Sequence, residues 1–162
     1  MSHQTSRLTM LMLAIASIVV GGWALFAVPS TQAETEVYTQ TLQNVTETFS
    51  DTVPCLGGKA TVTITYNSVF HVTQLDDGTY HLTGTQTGDF VIVPDGRNQP
   101  TYTGHFTVWF GENGNKKSFN GTFTFSIQGK GSDGSSLSFH ENAHFSVSAS
   151  GATVEFDKLR CA

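Results

Sequence analysis

Five histidines could hold a metal ion if the fold brought them together, because neutral imidazole is a common metal ligand. Two of them stand four residues apart in the run HENAH (140–144), a spacing similar to the HExxH motif of zinc enzymes. That motif needs a helix to bring its ligands together, whereas the flanking residues alternate as in a β-strand. A strand would separate the two imidazoles by about 13 Å, so we expect neither a metal site nor a cofactor. The five are predicted to lie on a solvated polar face: His71, His81, His105, His140 and His144.

Glu141 is a carboxylate that strand alternation places on the apolar side, between Phe139 and Ala143. A buried carboxylate is rare unless it is paired, and unusual carboxylates gather at functional sites. Arg160 is predicted to lie opposite Glu141 across the last hairpin, with Tyr102 in the same row. One interpretation is an ion pair at the rim of the sheet. The alternative is that Glu141, Arg160 and Tyr102 line the mouth of a cavity and orient a small ligand.

Trp109 alternates onto the polar face, four residues after His105. An exposed tryptophan there could contact a sugar or a partner protein. The interpretation that the sequence favours is that Trp109 covers a second, smaller core under the loop at 94–100.

His144 is predicted to pair with Asp157 across the last hairpin, with Ser146 beside it on the same face. A serine next to such a pair could in principle act as a nucleophile. No GxSxG turn accompanies these residues, so we expect a surface ion pair and predict no catalytic residue.

Cys55 and Cys161 are the only cysteines, and an even number in an exported chain predicts a disulfide. The bond would close a loop of roughly 100 residues and stabilise the fold by about 4–5 kcal/mol in the chain-entropy treatment. A metal site is the poorer alternative, because the two residues are far apart in the sequence and no histidine lies near them.

The first 33 residues have the pattern of a secretory signal peptide. Arg7 precedes the apolar run 8–28, and Ala33 follows as a small residue at a cleavage position. An uncleaved membrane anchor is the alternative, because about 20 apolar residues can span a bilayer. We therefore predict a secreted or extracytoplasmic protein, with one domain over 34–162 that does not contact the membrane once the leader is removed.

The charge of the chain argues against polyanionic partners. Arg7 is the only charged residue before Glu34, so the rest of the chain carries 7 basic and 13 acidic residues, a net charge of −6. The basic residues are scattered, whereas binding to nucleic acid or to an anionic membrane surface needs clustered positive charge. An uncharacterised small molecule or surface partner is the expected ligand.

Apolar and polar residues alternate repeatedly after residue 34, and turn signals separate the alternating runs, as expected for antiparallel strands. The turns also predict which residues pair: Val72 with Leu82, Val108 with Phe119, Ile127 with Phe139, and Phe145 with Phe156. The predicted strands are 36–50, 60–75, 79–93, 101–112, 116–130, 135–149 and 152–160, the first of which alternates poorly.

These runs predict an all-β domain, an antiparallel meander of seven to eight strands. A closed up-and-down β-barrel is favoured, and a two-sheet sandwich is the alternative. A monomer is favoured over a dimer, although the edges of an unclosed sheet could pair between chains.

The second half of the chain resembles small secreted bacterial β-domain proteins of uncharacterised function. The resemblance covers about 101–161 and rests on the SDG turn (132–134), the run HENAHF (140–145) and the ending FDKLRC (156–161). It implies a secreted β-domain and no catalytic residues.

We therefore expect a non-enzymatic exported β-domain with a binding or structural role at or outside the cell surface. The more specific form of this hypothesis is a carrier of a small apolar ligand, because glycines on the inner face could leave space for a ligand in a lumen. They could instead permit strong bends of the strands. An enzyme that uses Glu141 as acid or base in a barrel cavity is the alternative. The glycines are Gly84, Gly88, Gly104 and Gly121.

Overall fold

The structure, a computed structural model, describes residues 35–148, 150–151 and 153–162, and the predicted signal peptide (1–33) lies outside them. Seven strands form one antiparallel sheet in which each strand pairs with its neighbours in sequence. The described residues include no helix, and so none that could cross a membrane. The strands are β1 (Glu36–Val53), β2 (Gly58–Gln74), β3 (Tyr80–Pro94), β4 (Tyr102–Gly114), β5 (Phe119–Gly131), β6 (Ser136–Val147) and β7 (Thr153–Cys161).

The predicted all-β meander is confirmed, with seven strands close to the predicted bounds. All the described strands belong to a single sheet, and β1 and β7 do not pair with each other. The sheet is therefore not closed, and both β1 and β7 are edge strands.

The core lies on one face of the sheet, which we call the inner face. Directly paired residues of antiparallel strands point to the same side, so the alternation of each strand continues across its neighbours. Phenylalanine rings contact one another on this face: Phe70 and Phe110 have centroids 5.5 Å apart, and Phe125 and Phe139 lie at 5.4 Å. The opposite, outer face carries mainly threonine, serine, asparagine and histidine, although Val91, Val93 and Phe156 are also exposed on it.

The space next to each inner-face glycine, where a side chain would lie, is occupied by neighbouring atoms. A methyl group on Gly84 would stand 2.3 Å from the ring of Phe110, and one on Gly121 would stand 2.2 Å from the ring of Phe145. At Gly88 and Gly104 the backbone of the next strand takes that place, at 2.2 and 2.1 Å. Two glycines thus make room for aromatic rings, and two permit close approach of strands.

The register between β4 and β5 differs from the prediction. Val108 pairs with Phe125 rather than Phe119, because the turn is Asn115–Ser118 and not Asn113-Gly114. The Oδ1 atom of Asn115 accepts hydrogen bonds from the backbone N–H groups of Lys117 and Ser118 at 2.8 and 2.9 Å. The shift is an even number of residues, so every side chain keeps its predicted face. The predicted pairs Val72–Leu82 and Ile127–Phe139 are confirmed.

The predicted register between β6 and β7 is wrong by one residue, and the residues of β7 therefore lie on the face opposite to the predicted one. Phe145 pairs with Glu155 instead of Phe156, and the loop is longer than the predicted two-residue turn. Gly151 N–H donates to the carbonyl of Ser148 at 2.9 Å. An odd shift moves each residue of the strand to the other side of the sheet.

The predicted disulfide between Cys55 and Cys161 is confirmed, with Cα atoms 5.8 Å apart. Cys55 lies in the β1–β2 turn, and Cys161 pairs with the inner-face residue Phe139. The bond therefore joins the first hairpin to the last strand, and it connects the two edges of the sheet.

Candidate functional site

The predicted cluster of Glu141, Arg160 and Tyr102 is not brought together. Glu141 pairs with Leu159 and not with Arg160, which lies opposite His140 on the outer face. Tyr102 pairs with Gly131, six residues along β5 from the partner of Glu141. That offset corresponds to about 20 Å along a strand. The prediction that the three share one row is therefore wrong.

Glu141 itself has the predicted position on the inner face. It is partly buried, opposite Phe125 on β5 and Leu159 on β7. Tyr102 is buried, and its hydroxyl accepts a hydrogen bond from Ser135 Oγ at 3.3 Å.

The predicted pair of His144 and Asp157 is also wrong, because of the same one-residue shift. His144 lies opposite Phe156, and the two rings stack with centroids 6.2 Å apart. Asp157 pairs with Ala143 instead. A histidine–carboxylate pair does occur elsewhere on the outer face, where His105 Nδ1 lies 3.2 Å from Asp89 Oδ1.

The outer-face histidines bond mainly to hydroxyl and amide groups of nearby residues. His71 pairs with the hydroxyl of Thr39 at 2.8 Å, His144 with Thr122 at 3.0 Å, and His140 with Ser126 at 2.9 Å. Within the described part of the chain no group of three or more potential metal ligands comes together. These imidazoles belong to the polar rows of the sheet.

Trp109 does not cover a second core, so the interpretation favoured from the sequence is wrong. It pairs with Thr85 and Thr124 in the middle of the outer face, about 25 Å along the strand from the loop that ends at Thr101. The side chain is 43 % exposed. Its Cη2 and Cζ2 atoms lie 3.2 and 3.5 Å from where a Cβ on Gly111 would be. The indole therefore lies along its strand over a glycine, with much of its surface exposed to solvent.

A β-bulge interrupts β1 on the same face. Leu42 pairs with Ser68 and Val45 pairs with Tyr66, so Gln43 and Asn44 together oppose the single residue Asn67. Asn44 adopts a φ of 54°, a left-handed conformation that asparagine tolerates better than most residues. Its backbone N–H donates to Asn67 Oδ1 at 2.9 Å. The side chain of Asn67 thus satisfies a backbone group that the bulge removes from the regular ladder.

The bulge adjoins an open depression of about 490 Å³ on the outer face. Thr85, which lines it, pairs directly with Trp109, so the depression and the exposed indole are adjacent. None of the lining residues is charged: Thr41, Gln43, Asn44, Asn67, Ser68, Val69, Thr85 and Thr87. We call this depression together with Trp109 the outer-face site.

Two hydrogen-bonded tyrosine–glutamate pairs on the inner face contain groups with shifted pKa values. Tyr66 donates its hydroxyl proton to Glu47 Oε1 at 2.7 Å, and Tyr80 donates to Glu112 Oε1. Burial, reinforced by the neighbouring carboxylate, raises the pKa of both phenols far above the usual range. Burial also raises the pKa of Glu112, although the hydrogen bond from Tyr80 opposes it. The phenols consequently stay protonated and act as donors.

Sequence reasoning singled out Trp109 but missed the residues of the depression, among them Gln43, Asn44 and Asn67. The available signal was the poor alternation of the first strand. An extra residue that reverses the phase of alternation, next to asparagines that accept a positive φ, is what a bulge leaves in a sequence.

A scan of the chain against protein-family models matched no family. Searches against characterised proteins and against solved structures also found no match.

Proposed function

We propose that the protein is a monomeric, non-enzymatic exported β-domain that binds a partner at or outside the cell surface through the outer-face site. The observation that carries the proposal is the exposed Trp109, which lies over Gly111 beside a neutral polar depression. A large apolar ring held in the middle of a solvated polar face is typical of a binding surface.

Export is supported by two independent features. The leader pattern over 1–33 is typical of a signal peptide, and Cys55 and Cys161 are joined in a disulfide. Disulfides persist in oxidising compartments outside the cytoplasm.

The outer face receives more support as the binding surface than an inner lumen does. A carrier of an apolar ligand needs unfilled space, whereas rings of Phe110 and Phe145 occupy the positions above Gly84 and Gly121. Aromatic side chains that fill each other's gaps make a core rather than a cavity.

The experiment is a binding isotherm on isolated cell envelopes of the organism that produces the protein. Exported protein is sedimented with envelopes over a concentration series and quantified by immunoblot. We expect saturable binding that weakens at least about tenfold in Trp109→Ala, because exposed aromatic anchors commonly dominate binding energy.

Tyr38→Ala is the matched control, because Tyr38 is an aromatic residue of similar exposure, 40 %, on the inner face of β1, the side of the sheet opposite the site. It should bind like the wild type. Both variants should unfold within about 0.5 kcal/mol of the wild type, as surface substitutions usually do. Equal binding by Trp109→Ala and wild type would contradict the proposal, and so would a wild type that does not bind.

A further inference from the structure

The chemistry of the outer-face site favours one class of ligand. Apart from the inner-face residue Ser68, the depression is lined by hydroxyl and amide side chains of the outer face and by one aliphatic side chain, Val69. Neutral groups of this kind both donate and accept hydrogen bonds, so they suit a ligand that is itself rich in neutral hydroxyls. A phosphate or carboxylate would find no lysine or arginine among these residues.

Part of this hydrogen-bonding capacity is unused. Thr87 Oγ1 bonds to His105 Nε2 at 2.9 Å and to the carbonyl of Phe106 at 3.3 Å. By contrast, no hydrogen bond from the side chains of Thr41, Gln43 or Thr85 to another described residue is found. These three groups are exposed or partly exposed at the surface and are available to a ligand.

Trp109 supplies what the depression lacks, an apolar surface next to the hydroxyls. A sugar ring has the same two-sided character, since its C–H bonds form an apolar face and its hydroxyls project from the rim. The amphipathic surface of tryptophan suits such a ligand. Position 111 is a glycine, and a larger side chain there would displace the indole.

The dimensions and the edge geometry favour an extended chain of sugars over a peptide. Thr41 and Trp109 lie in one row, three strands apart, which is about 14 Å. Of the two free edges, β1 is the one at this site, and a peptide bound here would most readily add as a strand along it. The bulge at Gln43 and Asn44 interrupts that edge, and bulges hinder strand addition.

We propose that the outer-face site binds a neutral carbohydrate chain, with one sugar ring stacked on Trp109 and its neighbours hydrogen-bonded in the depression. This inference rests on the proposed binding function and assigns the ligand class to the same site. It requires no cofactor and no covalent step.

The test treats the same envelopes in two ways before binding is measured. Periodate cleaves the vicinal diols of sugars, and proteinase removes surface protein. We expect periodate to abolish binding and proteinase to leave it unchanged. Binding that survives periodate but is lost after proteinase would overturn the carbohydrate inference, while Trp109-dependent binding would leave the proposed function in place.

A printed array of neutral and acidic glycans then tests whether the bound glycan is neutral and whether Trp109 and Gln43 contribute to binding. Once the leader that contains Trp23 is removed, Trp109 is the only tryptophan of the exported protein, so its emission reports the site. We expect retention on neutral glycans with a change in emission, a loss of at least about tenfold in Trp109→Ala, and about fivefold weaker binding in Gln43→Ala, as for one lost hydrogen bond. Tyr38→Ala should match the parent. Retention only on acidic glycans, or retention that is unchanged in Trp109→Ala, would overturn the proposal.

Discussion

The tyrosine–glutamate pairs of the inner face show how one polar group can be kept among apolar neighbours. Tyr80 and Glu112 lie on adjacent strands near the end of the sheet formed by the turn at 115–118, and Tyr66 and Glu47 form the second pair on β1 and β2. Each phenol donates to a carboxylate that is partly removed from water. A charged acceptor without such a donor would carry the whole cost of its lost hydration.

Replacing Glu112 by glutamine should change how stability depends on pH. Its pKa is raised in the folded state by burial, so as pH rises the unfolded chain loses this proton first. Stability is therefore lost as pH rises from the ordinary glutamate pKa through the raised one. We expect the melting temperature of Glu112→Gln, relative to wild type, to be higher at about pH 7 than at about pH 4.

Asp77→Asn serves as the control, because its effect on stability should depend on pH in the opposite direction. Hydrogen bonds from Thr79 lower the pKa of this exposed carboxylate, so its contribution is present at neutral pH and disappears as pH falls through the lowered value. The variant should lose stability at about pH 7 and match the wild type in acid. Melting curves of Glu112→Gln that run parallel to wild type at both pH values would contradict the assignment.

Replacing Ser68 by alanine should stabilise the folded protein. Its side chain is 2 % exposed, and its hydroxyl has no hydrogen-bond partner among the described residues. A buried hydroxyl without a partner costs about 1–3 kcal/mol, so Ser68→Ala should raise the free energy of unfolding by about 1 kcal/mol in urea titrations.

Ser126→Ala is the matched change with the opposite expectation, because Ser126 Oγ bonds to His140 Nδ1 at 2.9 Å. Its loss should destabilise by about 0.5–1.5 kcal/mol. A destabilised Ser68→Ala would mean that the Ser68 hydroxyl is bonded in solution.

At the scale of the strands, the core is built by pairing a glycine with an aromatic ring. Gly84 lies opposite Phe110, and Gly121 lies beside Phe145 on the neighbouring strand. The ring covers the glycine, and the two residues together fill the volume that two medium side chains would fill elsewhere. The strands can then curl without leaving voids at these positions.

Gly84→Ala should destabilise the protein by about 1–3 kcal/mol, since the added methyl group would stand 2.3 Å from the Phe110 ring. Combined with Phe110→Leu, which shortens the opposing side chain, the two effects should be less than additive. Denaturant unfolding of the two single variants and the double variant measures this coupling.

Gly58→Ala provides the comparison, because no atom lies within 4 Å of the added methyl group. It should stay within about 0.5 kcal/mol of wild type. Full additivity of Gly84→Ala and Phe110→Leu would contradict the paired packing.

At the scale of the whole molecule, the disulfide joins the two edges of the sheet, which no strand pairing connects. The described strands β1 and β7 do not pair, and large apolar side chains are exposed on both, including Val37 at 71 % and Phe156 at 45 %. The Cys55–Cys161 bond connects these two edges across 106 residues of sequence. It thus limits the separation of the first and last strands in the unfolded chain as well as in the folded one.

Replacing both cysteines by serine should cost about 4–5 kcal/mol of unfolding free energy, as expected for a loop of this length. That is a large part of the 5–15 kcal/mol typical of a whole domain. Urea titration of the double variant, and of wild type with a reductant, should give the same loss. A loss below about 1 kcal/mol would mean that the edges stay together without the bond.

Local patterns in the sequence were sufficient to predict the class of fold, a meander of seven to eight strands and, for five of the seven strands (β2 to β6), which side chains face inward. These properties depend on alternation with a period of two, which is local and survives errors in the turns. The β4–β5 hairpin illustrates this, because Asn115 closes a later turn than expected and yet Val108 still faces the core. The pairing of Cys55 with Cys161 also followed from the sequence, since no other cysteine was available.

The register of β7, the open edge of the sheet and the outer-face site became apparent only in the folded structure. The last hairpin shifted by one residue, and this sent Arg160 to the outer face, away from Glu141. Whether Trp109 was covered or exposed depended on which residues surround it across three strands, and the depression depended on a bulge that pairs two residues with Asn67. Such features arise from contacts between residues distant in sequence, for which a local pattern carries no information.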